Sequence, residues 1–193
     1  FSFKIRGMEK LCRFHLENGV KQFVASSGGN AGYSLAYVGQ QLDLEVSVIV
    51  PSTTTSFMID KIKSLGAKVE INGDVWDEAN IRALEIADKT GAVFVSPFDD
   101  PLLWDGHSAI IDECKTQMKK PDRLVVSVGG GGLLCGIIEG LKRNHWLDVK
   151  ITTVETTGAA SFYESWHAQK VIELIEINTI ANTLGAKKIT ARA

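Results

Sequence analysis

The sequence predicts an α/β fold of open parallel sheets with helices on both faces, and three observations predict it. Short apolar runs alternate with longer amphipathic stretches along most of the 193 residues. Glycines stand just past several amphipathic stretches, at Gly19, Gly66 and Gly91, where helices end. Two glycine-rich segments, 26–32 and 129–132, each follow an apolar run and open a helical one. That strand–loop–helix order belongs to parallel sheets with right-handed crossovers.

The elements follow in order. A helix is predicted over 6–18, closed by Gly19. A strand over 22–26 feeds Ser26-Ser27-Gly28-Gly29-Asn30-Ala31-Gly32, and a helix over 31–41 leaves it. The run 45–50 is a strand, 56–65 a helix, 68–71 a strand, 77–89 a helix and 93–96 a strand. Ser96-Pro97-Phe98-Asp99-Asp100-Pro101 then breaks regular structure with two prolines and two aspartates in six residues. It divides the chain into a small α/β domain over 1–96 and part of a larger α/β domain over 97–193. The second part predicts a helix over 102–119, a strand over 124–128, a helix over 133–143 and a strand over 151–155.

Bulk properties exclude several function classes. The chain is 45% hydrophobic and 23% charged with a net charge of −2, an ordinary globular composition. Weak net acidity gives no electrostatic reason to expect nucleic acid. No apolar run is long enough to span a bilayer. The first residues resemble neither a signal nor a transit peptide, and a cytoplasmic protein is expected from the few, scattered cysteines. The three cysteines, Cys12, Cys114 and Cys135, are odd in number and far apart, and read as reduced, buried thiols. The four histidines form no cluster.

The most informative segment is Gly129-Gly130-Gly131-Gly132-Leu133, preceded by Leu124-Val125-Val126-Ser127-Val128. Residues without Cβ let a backbone curl and aim successive N–H groups at one point. A helix start at the end of the loop adds positive potential, so the segment reads as a phosphate cradle. Apolar runs on both sides argue against a flexible linker. Two further segments lie at element ends: Phe1-Ser2-Phe3-Lys4-Ile5-Arg6-Gly7, and the Ser-Gly-Gly-Asn loop. Taken singly, the lysine is a surface charge and the loop a turn with an N-cap.

Together they resemble the pyridoxal-phosphate enzymes of fold type II, the tryptophan synthase β fold, and within these the serine/threonine dehydratases. Ser2-Phe3-Lys4-Ile5-Arg6-Gly7 is similar to that family's lysine motif. Ser27-Gly28-Gly29-Asn30-Ala31-Gly32 is similar to its cofactor loop, and the four glycines to its phosphate loop. Residues 96–107 and 154–162 resemble further family stretches, so the likeness runs over nearly the whole chain.

The resemblance implies that Lys4 bonds the cofactor aldehyde and, once freed, acts as general base, a role that burial assists. It implies that Phe3 packs on the pyridine ring and Asn30 bonds its phenolic oxygen. The phosphate would rest on the amides of Gly129, Gly130, Gly131, Gly132 and Leu133. Ser26, Ser27, Gly28 and Asn30 would grip the substrate carboxylate. Gly129, Glu155, Ala159, Ser161, Leu184 and Ala186 occupy positions matching a monovalent cation site, for which K+ is the candidate ion; the alternative for Glu155 is a helix-capping or surface carboxylate. The implied reaction is β-elimination of L-serine to pyruvate and ammonia, with L-threonine giving 2-oxobutanoate as a secondary activity. A homodimer is the implied assembly. Gly28 stands where some members carry Ala, and replacing it by Ala is expected to raise turnover.

Against the family pattern the chain is expected to be short at both ends, with no residue to face the pyridine nitrogen. Other readings stay open: a threonine dehydratase or serine racemase of the same fold, with Ser27 as a second base; a non-catalytic phosphate- or nucleotide-binding module; or an inactive fragment. Ala31, where threonine-directed enzymes carry His, favours serine. A nucleotide module would need Gly-x-Gly-x-x-Gly with a later acidic residue, or Gly-Lys-Ser/Thr, and neither occurs.

Overall fold

In the computed structural model, residues 2–181 and 183–193 are described; Phe1, the first residue of the lysine segment, lies outside them. The chain divides into two compact units, Phe1–Pro97 and Phe98–Ala193.

The first unit runs α1 (Lys4–Glu17), β1 (Gln22–Ala25), α2 (Asn30–Leu42), β2 (Glu45–Val50), α3 (Ser56–Ser64), β3 (Lys68–Ile71), α4 (Trp76–Thr90) and β4 (Val93–Phe94). Its four strands form one sheet in the order β3-β2-β1-β4, every pair parallel. Val24 pairs with Ser47 on one side of β1 and with Phe94 on the other. Successive side chains of a strand point to opposite faces, and both faces of β2 are covered. Ile49 packs with Val24, Ala79 and Ala83 beneath α4. Val46 and Val48 point the other way and are buried on the side of α2, which packs against β2 and α1.

The second unit runs α5 (Pro101–Gln117), β5 (Arg123–Ser127), α6 (Gly132–Arg143), β6 (Lys150–Val154) and α7 (Ser161–Ala168). Strands β5 and β6 pair in parallel from Arg123↔Lys150 to Ser127↔Val154. Ile111, Val126, Ile137, Leu141, Trp146 and Val149 form its core. Helices α5 and α6 meet along a seam of small residues. A Cβ on Gly136 would come 2.5 Å from that of His107, and one on Gly140 2.6 Å from the Ser108 carbonyl oxygen. On the opposite face of β5, Val125 is 68% exposed.

Every predicted strand and helix is present, with ends shifted by at most two residues. The first helix begins at Lys4 rather than Arg6, because Ser2 acts as a cap: its Oγ accepts from the Lys4 amide at 3.3 Å and its carbonyl from Ile5. Strand β4 is only two residues long. Helix α7 was not predicted; it spans eight residues, and its start is held by Glu155 rather than by a local N-cap side chain. The cysteines are free, and burial pushes Cys12 up to about 12 and Cys135 to about 11, which leaves both unreactive.

Candidate active site

In the first unit, Lys4 is the first residue of α1, and its Nζ donates to the carbonyl of Pro97 at 2.6 Å. Burial lowers its pKa from 10.5 to about 8, so the free amine is far more accessible near neutral pH than in an ordinary lysine. The same Nζ lies 5.4 Å from the centre of the Phe3 ring, so the two residues proposed to meet the cofactor stand together. Pro97 supplies only a carbonyl oxygen; its place beside Lys4 has no sequence signal, since 93 residues separate them.

The loop after β1 leaves the carboxyl end of the sheet, where parallel sheets bind ligands. Its residues divide by burial. Ser26 is 0% exposed and its Oγ donates to Asn80 Oδ1 of α4 at 2.7 Å, so this side chain anchors the loop and does not face solvent. Ser27 Oγ accepts from the Gly29 amide at 3.3 Å, a local turn. Asn30 is exposed at the first position of α2. Among the described residues, no hydrogen bond is donated by the amides of Gly28, Asn30, Ala31 or Gly32, so they are donors at a helix start.

At Gly28, a Cβ would meet Thr54 Cγ2 at 2.6 Å and Oγ1 at 2.8 Å. A substitution to Ala therefore requires Thr54 or the loop to move, which weighs against the expected gain in turnover.

In the second unit, the amides of Gly129, Gly130, Gly131, Gly132 and Leu133 likewise donate no hydrogen bond among the described residues. They precede and begin α6, and Gly131 has φ +91°, a left-handed conformation that glycine adopts without strain. The protein's own packing also demands glycine here. A Cβ on Gly129 would overlap the carbonyl oxygen of Leu184, and one on Gly130 would overlap the Phe98 ring. One on Gly132 would lie 2.5 Å from the Phe98 carbonyl oxygen. The loop is held further by the Thr190 amide, which donates to the Gly130 carbonyl at 2.9 Å. Five amide donors and a helix start fit the phosphate of pyridoxal phosphate without a cationic side chain.

The residues proposed for a cation also draw together in part. Leu184 lies against Gly129, and a Cβ on Gly185 would be 2.9 Å from that of Ala159. Ser161 is 0% exposed and its Oγ has no hydrogen-bond partner; neither has the buried Oγ1 of Thr156. The Glu155 carboxylate has a structural duty of its own, accepting from the amides of Phe162 and Tyr163 at 2.8 Å each. Ala186 is partly buried. Among the described residues, no group of three or more His, Cys, Asp or Glu could hold a metal ion, so any cation here would rest on carbonyls and hydroxyls.

Comparison with known proteins adds four findings. The family model described as "Pyridoxal-phosphate dependent enzyme" matches residues 1–193. The chain is 46% identical over 195 residues to "L-serine dehydratase/L-threonine deaminase" of Bos taurus, covering all of this chain and 59% of that protein. Among solved structures it resembles "a fungal L-serine ammonia-lyase from Rhizomucor miehei", with a TM-score of 0.92, 33% identity and coverage of 99% of this chain and 62% of that one. It also resembles the "processed form of threonine deaminase isoform 2 from Solanum lycopersicum", with a TM-score of 0.91, 33% identity and coverage of 98% and 55%. The chain thus spans about three-fifths of these relatives, and its fold is theirs.

Proposed function

We propose, for a chain that belongs to the pyridoxal-phosphate dependent enzyme family, that the protein containing it eliminates the β-hydroxyl of L-serine as water, and that the dehydrated product then takes up water to give pyruvate and ammonia. L-Threonine gives 2-oxobutanoate as a secondary activity. The observation that carries this reading is the Lys4 amine, lowered to about 8 by burial and held on the Pro97 carbonyl.

Pyridoxal phosphate, when bound, supplies an aldehyde that bonds amines and a ring that takes up the electrons of a broken Cα–H bond. Lys4 would hold the aldehyde through its amine, and the same Nζ, when it is a neutral amine, would take the Cα proton. A pKa of about 8 suits both tasks near neutral pH, because base strength and free-base fraction are balanced there. Phe3, beside Nζ, provides an aromatic face for the cofactor ring. Asn30, exposed at the start of α2, offers its amide to the phenolic oxygen. The amides of Gly129, Gly130, Gly131, Gly132 and Leu133 hold the phosphate. The amides of Gly28 and Asn30, with Ser27, receive the substrate carboxylate, while Ser26 holds their loop to Asn80.

The reading extends to a K+ ion near Ser161, Ala159, Gly129 and Leu184, supported by the unpartnered Ser161 hydroxyl and the closeness of Leu184 to Gly129. A homodimer rests on the family resemblance and a cytoplasmic location on the free cysteines; no helix among the described residues is long and apolar enough to cross a membrane. Borohydride reduction of the full-length protein with its cofactor, followed by peptide mapping, tests the central claim. The label is expected on Lys4, and a label elsewhere overturns the assignment.

A further inference from the structure

Strands β1 and β2 are parallel neighbours, with Ala25 opposite Val48, so the segments that follow them emerge side by side. The first is the Ser-Gly-Gly-Asn loop. The second is Pro51-Ser52-Thr53-Thr54, a turn closed by the Thr54 amide donating to the Pro51 carbonyl at 3.0 Å, just before the Thr55 cap of α3. Thr54 is partly buried, and its side chain occupies the space a residue-28 side chain would need. Cγ2 lies 2.6 Å, Oγ1 2.8 Å and Cβ 3.3 Å from the Cβ position of Gly28. Removing Cγ2 and Oγ1 leaves Thr54 Cβ at 3.3 Å as the nearest atom, an approach that a small shift accommodates.

We infer that Thr54 is the specificity-determining partner of Gly28: positions 28 and 54 share one methyl-sized volume, and the side chain of Thr54 sets how much room the carboxylate loop leaves for the substrate. This rests on the reading of that loop as the substrate site. The pair acts through loop position, since Thr54 borders Gly28. Relieving it changes the discrimination between serine and threonine, which differ by one methyl, a difference that a pocket reads as about tenfold or more in kcat/KM.

A double-mutant cycle on the full-length protein tests it, with Gly28→Ala, Thr54→Ala and the pair. In the cofactor-free protein, Gly28→Ala is expected to lower the Tm by several degrees and the double variant to recover at least half of that loss. In the holoenzyme, Gly28→Ala is expected to raise the KM for L-serine more than it lowers kcat, with the double variant reversing the rise. Thr54→Ala is expected to shift the threonine-to-serine ratio of kcat/KM toward threonine. A double variant no more stable than the sum of the single losses overturns the pairing. Recovered Tm with an unchanged KM and an unchanged substrate ratio overturns the specificity role, while borohydride labelling of Lys4 in the same samples keeps that result separate from the fate of the proposed reaction. Loss of the Lys4 label overturns the reaction, and the unfolding cycle still decides the pairing.

Discussion

The Nζ of Lys4 donates a 2.6 Å hydrogen bond to the carbonyl of Pro97, joining the first turn of α1 to the last residue of its own unit. The hydrogen bond holds the amine in place, and burial sets its proton affinity, lowering the pKa from 10.5 to about 8. Both effects bear on experiments with the protein.

The first prediction concerns stability against pH. Lys4 binds its proton less tightly folded than unfolded, so its burial penalty is fully present below pH 8 and is relieved as pH rises from about 8 to 10.5. Lys4→Met should therefore stabilise the cofactor-free protein at pH 7, by no more than about 3 kcal/mol, partly offset by the lost bond to Pro97. The gain should fade above pH 10. Thermal unfolding of both proteins across this range checks it; a constant difference would show that Lys4 is not desolvated.

Phe98 supports the glycine cradle from below, with its ring against Gly130 and its carbonyl against Gly132. That carbonyl also accepts from Trp104 Nε1 at 2.8 Å, which fixes it. Phe98→Ala should cost about 3 kcal/mol through the space left behind, the low end for a partly buried ring. It should also weaken cofactor binding by about tenfold, because the amides lose their alignment. Cofactor titration followed by absorbance measures the second effect separately from unfolding.

Glu155 accepts from two amides at the start of α7. Glu155→Ala should cost about 1 kcal/mol, the usual worth of such a cap. If K+ also binds at this end, wild-type Tm should be higher in KCl than in NaCl at equal ionic strength, and the variant should lose that difference. Equal Tm values for the wild type in both salts would remove the cation from the proposal.

On the surface, Arg143 pairs with Asp105 at 3.2 Å and with Asp112, whose second oxygen accepts from Asn144 Nδ2 at 2.6 Å. Arg143 holds the Asp112 carboxyl below the usual carboxylate range. This stabilises the fold above the unfolded carboxylate pKa and is lost as pH falls through the lowered one. Arg143 is 45% exposed, so Arg143→Ala should cost less than about 1 kcal/mol and less again in high salt. Urea unfolding at two salt concentrations measures it.

Much of this architecture is legible residue by residue. The β-branched run Val46-Ser47-Val48-Ile49-Val50 is buried along most of its length because it lies in a parallel sheet with α2 on one side and α4 on the other. Gly91 ends α4 in a left-handed conformation, φ +72°, as its position after the amphipathic stretch predicts. Helix α7 escaped the reading because its start is held by Glu155, six residues before Ser161, and no local pattern announces that. The glycines of 129–132 read as serving a ligand, and their loop does leave five amides that donate no hydrogen bond among the described residues. Their lack of side chains is equally a demand of Phe98 and Leu184, which lie far off in sequence and close in space.

The sequence alone determined the order of strands and helices, the nature of the two glycine loops and the lysine at the first helix, because periodicity and the absence of Cβ act locally. Only the tertiary structure decided that Lys4 rests on Pro97, that Thr54 fills the space beside Gly28 and that Ser26 turns inward to Asn80. Those relationships come from strands laid side by side and from desolvation, which depend on what folds against a residue and not on its neighbours in the chain.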